Sequence, residues 1–128
     1  MKKMLMGILL LSFLFTSNVG CKKEKSFEEK YAGAWEITFS GSFSGEKTII
    51  VKSDGSFNFS IVLQQGLFGS VTNSFTGFIL ESGAVEGDIF MSGNDIGDVS
   101  GNLEDNGTGE GIYVTNVPTS GTWEAVKL

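Results

Sequence analysis

The feature that most constrains the fold of this chain is a series of short apolar runs that begins at Tyr31 and is interrupted by Gly, Asp, Asn and Ser. The clearest example joins the run Ile49 to Lys52, across Asp54-Gly55, to a run that alternates polar residues with Phe57, Phe59, Ile61 and Leu63. A period of two places alternate side chains on opposite faces of a strand. Asp-Gly favours a tight hairpin because both turn residues must tolerate positive φ. The pattern therefore predicts antiparallel strands with one buried and one wet face.

The same pattern continues along the rest of the chain. An initial run, AWEITFSGSF, places on one face Trp35, Ile37, Phe39 and Phe43. Later runs occupy 72–80, 84–91, 96–103 and 109–115, and the last run contains Trp123. Hairpin joints are expected near Ser82-Gly83, Gly93-Asn94-Asp95 and Asn106-Gly107. Glycines inside the runs fit the tight bends of a small barrel: Gly77, Gly87, Gly101 and Gly111.

These runs together predict an all-β fold over residues 31–128. The predicted fold is a small antiparallel meander of about eight strands, closed into an up-and-down barrel. Closure removes the exposed edges that a flat sheet would leave open to aggregation. A β-sandwich of seven or eight strands is the alternative.

The composition excludes most catalytic chemistry. The chain has no His, its nine basic residues are all Lys, and it has a single Cys. Without His there is no Ser/His/Asp or Cys/His relay and no imidazole metal ligand, and no Ser lies in a G-x-S-x-G motif. We therefore expect a protein that is not an enzyme and uses no cofactor.

The charge is strongly acidic and unevenly spread. From Cys21 onward seven Lys face fifteen acids, a formal charge of −8, and no basic residue lies between Lys52 and Lys127. A phosphate backbone would be repelled, so nucleic acid is not an expected partner. The acidic surface serves solubility, or alternatively offers a site for cations or a basic protein.

The first twenty residues differ from the rest. Lys2 and Lys3 precede an uncharged run from Met4 to Phe15, and a small polar stretch follows. This is the three-part plan of a secretory signal. The apolar run is about a dozen residues, short of the roughly 20 needed to span a bilayer as a helix.

The segment Asn18-Val19-Gly20-Cys21 resembles a bacterial lipobox, although Asn18 stands where Leu is usual. The resemblance implies cleavage between Gly20 and Cys21 and attachment of diacylglyceryl and palmitate-like acyl chains to Cys21. Residues 1–20 would then be a signal peptide and 21–30 a lipidated tether, with Ser26 to Lys30 either extended or forming one helical turn. Lys22, in place of Asp, suggests by analogy the outer membrane. A plain cleavable signal followed by a free thiol is the alternative.

Gly33-Ala34-Trp35 resembles the opening of lipocalins and related calycin barrels. The resemblance implies that Trp35 closes one end of the barrel and that the other end admits a ligand. The Arg that packs over that Trp in the family has no counterpart here, and Lys127 is the only cation nearby. A core filled by the many Phe is the alternative to an internal pocket.

Three further stretches are candidate sites. Leu67 and Phe68, between glycines, are predicted either to form a ligand portal or contact surface or to fold back over the barrel mouth. Ser92 to Asp98 carries oxygen donors but lacks the order of a calcium loop, so turn chemistry is expected and no metal site. Glu86 and Asp88 share a strand face that alternation turns outward, where paired carboxylates have no reason to acquire different pKa values.

The leading functional hypothesis is a membrane-anchored lipoprotein of the cell envelope. Its barrel would bind a small apolar ligand inside or a protein partner outside, without catalysis. One alternative is a structural or surface-display lipoprotein with a filled barrel. The other is a metal-dependent enzyme with Glu86, Asp88, Asp95 and Asp98 as its carboxylates.

Overall fold

The computed structural model describes residues 25–66 and 69–128. A short helix, α1 (Phe27–Lys30), precedes eight strands: β1 (Gly33–Gly41), β2 (Gly45–Val51), β3 (Ser56–Gln64), β4 (Ser70–Ile79), β5 (Ala84–Met91), β6 (Asn94–Leu103), β7 (Thr108–Thr115) and β8 (Ser120–Lys127). All eight form one antiparallel sheet in the order β2-β1-β8-β7-β6-β5-β4-β3. The predicted all-β meander is confirmed as one nearly closed, barrel-shaped sheet, and the two-sheet alternative is not what the chain forms.

The two edge strands of this sheet, β2 and β3, lie side by side, and we call the boundary between them the seam. At one end Ser44 and Gln64 exchange two backbone hydrogen bonds of 2.9 and 2.8 Å. At the other end the Lys52 N–H donates to the Ser56 carbonyl at 3.0 Å. Between these points the two strands form no ladder in the described part of the chain. The barrel is therefore closed at both ends of the seam but not along its middle.

Three turns at one end of the barrel share a single design. The β2–β3, β4–β5 and β6–β7 turns each contain a glycine with positive φ, of 90° at Gly55, 93° at Gly83 and 91° at Gly107. The side chain before each glycine accepts the N–H of the residue after it, with Asp54, Ser82 and Asn106 as the acceptors. Helix α1 lies at the same end, which we call the helix end. The other end, with the β1–β2, β3–β4, β5–β6 and β7–β8 connections, is the loop end.

The β2–β3 turn is not the tight turn predicted at Asp54-Gly55, in which both central residues would have positive φ. In the observed turn only Gly55 has positive φ, and the loop has three residues because Lys52 pairs with Ser56. The Ser56 hydroxyl and N–H both donate to the Asp54 carboxylate, which holds the pKa of Asp54 below its ordinary value. The two-residue turn with two positive φ angles lies at Ser92 and Gly93, at 54° and 82°. Asn94 and Asp95, predicted as part of that joint, already belong to β6.

Helix α1 packs on the barrel rather than extending from it. Ser26 caps the helix by accepting the Glu29 N–H, while the Glu29 side chain accepts the Ser26 N–H. The Phe27 ring packs edge-on against Tyr31, with 5.3 Å between centroids, and the Lys127 ammonium donates to the Glu29 carbonyl at 2.6 Å. Of the two conformations predicted for Ser26 to Lys30, the chain forms the helical turn. Among the described residues, no helix has the length and apolarity needed to cross a membrane.

Candidate functional site

The inside of the barrel is filled by apolar side chains. A cavity of about 30 Å³ remains at its centre, lined only by apolar residues that include Trp35, Phe57, Phe75 and Trp123. Such a volume admits one or two water molecules, whereas sites for small ligands measure about 300–1,000 Å³. The interior of this barrel therefore has no room for a lipid or other apolar ligand without rearrangement of its core.

Pairs of facing glycines make room for the aromatic side chains in the barrel core. Gly77 and Gly87 are neighbours across β4 and β5, and the Phe57 ring lies against the positions where their side chains would be. Gly101 and Gly111 pair in the same way across β6 and β7, under the indole of Trp123. Because these inward positions carry no side chain, each ring can lie close to the backbone. The glycines predicted to serve bends thus also make room for the core.

Two aromatic side chains fix the ends of the barrel. Trp35 is buried near the helix end, and its Nε1–H donates to the Tyr31 carbonyl at 2.8 Å. At the loop end the Tyr113 hydroxyl accepts the Phe43 N–H at 2.8 Å and lies within 3.0 Å of the carbonyls of Ser40 and Phe43. Burial raises the pKa of Tyr113 above its ordinary value, against the opposing effect of the Phe43 hydrogen bond. Both ends are therefore held by directional bonds as well as by packing.

One buried polar side chain in the core was not anticipated from the sequence. Asn73 lies on the inward face of β4, is fully buried, and forms no hydrogen bond with any described residue through either its Oδ1 or its Nδ2. Most buried polar groups in proteins are paired, because an unpaired one costs free energy on folding. The alternation of the predicted strand 72–80 could have placed Asn73 inward beside Phe75, since odd positions in this run face the core.

The candidate carboxylates lie on the outer surface. The ladder places Asp88 of β5 directly opposite Asp98 of β6, and Glu86 lies two residues away on the same exposed face. Asp95 accepts the Gly97 N–H at 3.2 Å, which is local turn chemistry. Within residues 25–66 and 69–128, no three carboxylate or thiol side chains converge to hold a metal ion. Glu86, Asp88 and Asp98 line one shallow groove on the outer surface, together with Phe78 and Leu80, and Asp95 is not part of it.

Four residues singled out from the sequence lie outside the described residues. These are the processing and lipid-attachment positions, Gly20 and Cys21, and the loop residues Leu67 and Phe68. The lipid anchor and the portal therefore remain predictions.

No family model, no curated protein and no solved structure matches this chain. The class that the fold defines is a small, nearly closed, eight-stranded antiparallel barrel with a filled core. Its function has to be argued from its own residues.

Proposed function

We propose that this chain is a lipid-anchored lipoprotein of the bacterial cell envelope, in the outer membrane, whose barrel binds a protein partner on its outer surface. The observation that carries the choice of partner is the filled interior, whose cavity of about 30 Å³ is too small for an apolar ligand. Of the two partners predicted from the sequence, the protein outside the barrel is therefore favoured over the ligand inside it.

The anchor part of the proposal is supported by the lipobox-like segment ending at Cys21 and by the position of helix α1. Residues 21–25 are the only link between the proposed lipid and the capped helix at Ser26. Five extended residues span at most about 17 Å. The barrel would therefore stand close to the membrane with its helix end nearest the lipid.

The charge distribution argues against the membrane as the surface that β4–β8 contact. Residues 69–128 carry one Lys against nine acids, while residues 25–66 carry four Lys against five. A surface so acidic is repelled by anionic headgroups. The strands β4–β8 would face away from the membrane, toward other proteins of the envelope.

The anchor is tested by labelling cells with an alkyne analogue of palmitate and separating the membranes. The natural chain should be labelled and recovered in the membrane fraction, and Cys21→Ala should lose the label and accumulate as the unprocessed precursor. Lys22→Ala, next to the modified residue, should behave like the natural chain. Labelling that persists in Cys21→Ala would contradict the proposal.

The partner is tested by two measurements on the full processed chain. Photocrosslinking residues placed in intact cells at exposed positions around the barrel, such as Thr38, Asn58 and Ile112, should give a discrete protein adduct from at least one position. Native mass spectrometry should show no lipid beyond the covalent acyl chains. A non-covalent lipid on the chain, or no adduct from any position, would contradict the partner assignment.

A further inference from the structure

Among the described residues, the seam between β2 and β3 leaves two rows of backbone groups without backbone partners, although the Ser60 carbonyl accepts the Lys47 ammonium. Because N–H and C=O groups of alternate residues point to the same side of a strand, the bonds of Ser44 and Gln64 fix which residues face the seam. On β2 these are Glu46, Thr48 and Ile50, and on β3 they are Asn58, Ser60 and Val62. No backbone hydrogen bond joins the two sets in the described part of the chain. Two facing strand edges are thus available over three residues each.

Lys47 shows that the wall is open at this point. Its ladder partner on β1 is Ile37, which is buried, so Lys47 belongs to the inward face of the sheet. Lys47 is nevertheless exposed, whereas the next inward residues of β2, Ile49 and Val51, are buried. Its ammonium reaches across the seam and donates to the Ser60 carbonyl at 2.6 Å. Lys47 can reach solvent in this way because no backbone ladder joins β2 to β3 at this point.

Lys47 also lacks a negative partner. Among residues 25–66 and 69–128 its ammonium contacts the neutral Ser60 carbonyl and no carboxylate. The bond of the ammonium to the Ser60 carbonyl has one charged partner, and a carboxylate in that place would add the Coulomb attraction of a second, opposite charge. Lys47 therefore brings to the seam a cation that has no carboxylate partner among the described residues, although Glu46 lines the outer groove beside it, and this ammonium can accept an acidic side chain.

The two sides of the seam differ in polarity. On the inner side lies the small apolar cavity, whose lining includes Ile49 of β2 and the half-buried Phe59 of β3. The Phe59 ring stacks on Phe75, with 5.1 Å between centroids and 6° between planes. On the outer side a shallow groove is lined by Glu46, Lys47, Ser60, Ile61, Val62 and Thr72. An occupant should present apolar groups inward and polar groups outward.

We propose that the seam is a docking site for an extended peptide segment of the partner protein, which adds a strand between β2 and β3 and places a carboxylate side chain on Lys47. This inference rests on the proposed function, since it names the surface that the partner uses. Rows of backbone donors and acceptors are matched by another extended backbone, and alternation gives that strand the required apolar and polar sides. A second copy would offer edges that carry the same Lys47, so like charges would meet.

The test measures binding of a fluorescent peptide to the full lipidated chain in detergent micelles. The peptide has about five residues, a usual strand length that is close to the stretch of the seam open between its two closed ends; Val alternates with Thr and the central Val is replaced by Glu. A matched peptide carries Lys in place of that Glu. We expect the Glu peptide to bind about tenfold more tightly than the Lys peptide and to slow amide hydrogen exchange at Thr48 and Val62.

Two pairs of variants locate the binding. Lys47→Gln should remove the preference for the Glu peptide, while Lys52→Gln, an exposed lysine at the end of the same strand, should keep it. Thr48→Pro removes a seam-facing N–H and should abolish binding, whereas Thr48→Ala should not. The melting temperature of each variant establishes that it is folded.

The inference is overturned if neither peptide binds, if both bind equally, or if exchange in the seam is unchanged by binding. A concentration-dependent dimer that protects the same amides would also overturn it, because the occupant would then be a second copy. Photocrosslinks in cells that form only from positions away from the seam would leave the proposed function standing and remove this site. Absence of any crosslink would instead contradict the proposed function.

Discussion

At the scale of single residues, the Tyr113 hydroxyl connects β7 to the β1–β2 connection. It accepts the buried Phe43 N–H and lies beside two backbone carbonyls. Tyr113→Phe would keep the ring, which stacks on Phe43 at 5.8 Å, but would leave that N–H without a partner. We expect the free energy of unfolding in urea to fall by about 1–3 kcal/mol.

Tyr31 provides the control for this change. It is as buried as Tyr113, yet its hydroxyl makes no hydrogen bond within the described residues, and only its carbonyl is used, by Trp35. Tyr31→Phe should therefore change the free energy of unfolding by much less. Equal losses in the two variants would show that the hydroxyl bond of Tyr113 is not what stabilises the loop end.

Asn73 presents the opposite case, a polar side chain whose removal should help. Both of its polar atoms are buried and have no partner within residues 25–66 and 69–128, so Asn73→Leu removes a desolvation cost and adds apolar contact. We expect the free energy of unfolding to rise by about 1–3 kcal/mol, measured by urea titration of both proteins. Thr115→Val is the control, because the buried Thr115 hydroxyl is bonded to Thr119 at 2.6 Å. That substitution should lower stability, and a loss in Asn73→Leu would indicate that Asn73 has a partner in solution.

At the scale of strands, the facing glycines are the most constrained feature. A Cβ on Gly111 would overlap the Ser100 carbonyl oxygen and the indole of Trp123. The Ser100 oxygen cannot move without disturbing the β6–β7 ladder, and the indole cannot move without losing its hydrogen bond to that oxygen. Gly111→Ala should therefore cost about 3 kcal/mol in the free energy of unfolding, at the upper end for an overpacked core.

Gly93→Ala is the matched control for Gly111→Ala. A Cβ at Gly93 would meet nothing within 4 Å, and only its φ of 82° opposes the change. That strain costs about 1 kcal/mol. A Gly111→Ala variant no less stable than Gly93→Ala would contradict the packing of Trp123 on the glycine pair.

Some strands and turns could be predicted from the sequence, and others could not. The turns at Gly55, Gly83 and Gly107 could be located because turn chemistry is local, and the run 84–91 coincides with β5. The start of β2 at Gly45 could not, because Glu46, Lys47 and Thr48 show no apolar alternation. The seam was equally hidden, because it lies between β2 and β3, the two runs that the sequence predicted most clearly as a paired hairpin, whereas β1 and β8, the first and last strands of the chain, do pair. Lys47 has the polarity of an outward residue but stands on the inward face.

At the scale of the whole molecule, the seam and the proposed anchor have a defined relation. The seam runs from the helix end, at Lys52 and Ser56, to the loop end, at Ser44 and Gln64. If the lipid is attached beside the helix end, the seam extends away from the membrane along the side of the barrel. A peptide strand from a neighbouring envelope protein could then enter it without displacing the anchor.

The uneven charge of the molecule leads to a prediction about salt. Residues 69–128 have a formal charge of −8, and within them Glu110 of β7 lies directly opposite Glu124 of β8. Like charges in facing positions of a sheet oppose folding, and salt screens them. We expect the melting temperature to rise when sodium chloride is added to a low-salt buffer.

Reversing one charge tests whether this repulsion is the cause. Glu110→Lys turns the facing pair into an attractive one and should raise the free energy of unfolding at low salt by about 1 kcal/mol, with a smaller response to sodium chloride. Glu36→Lys makes the same change in net charge, but its ladder partners are the uncharged Thr48 and Val126. Its gain should be smaller, since the acids nearest to it, Glu124 and Glu46, lie diagonally across the ladders and not directly opposite. Equal gains would assign the effect to net charge, and no gain in either variant would show that the acidic strands carry their charge without cost to stability.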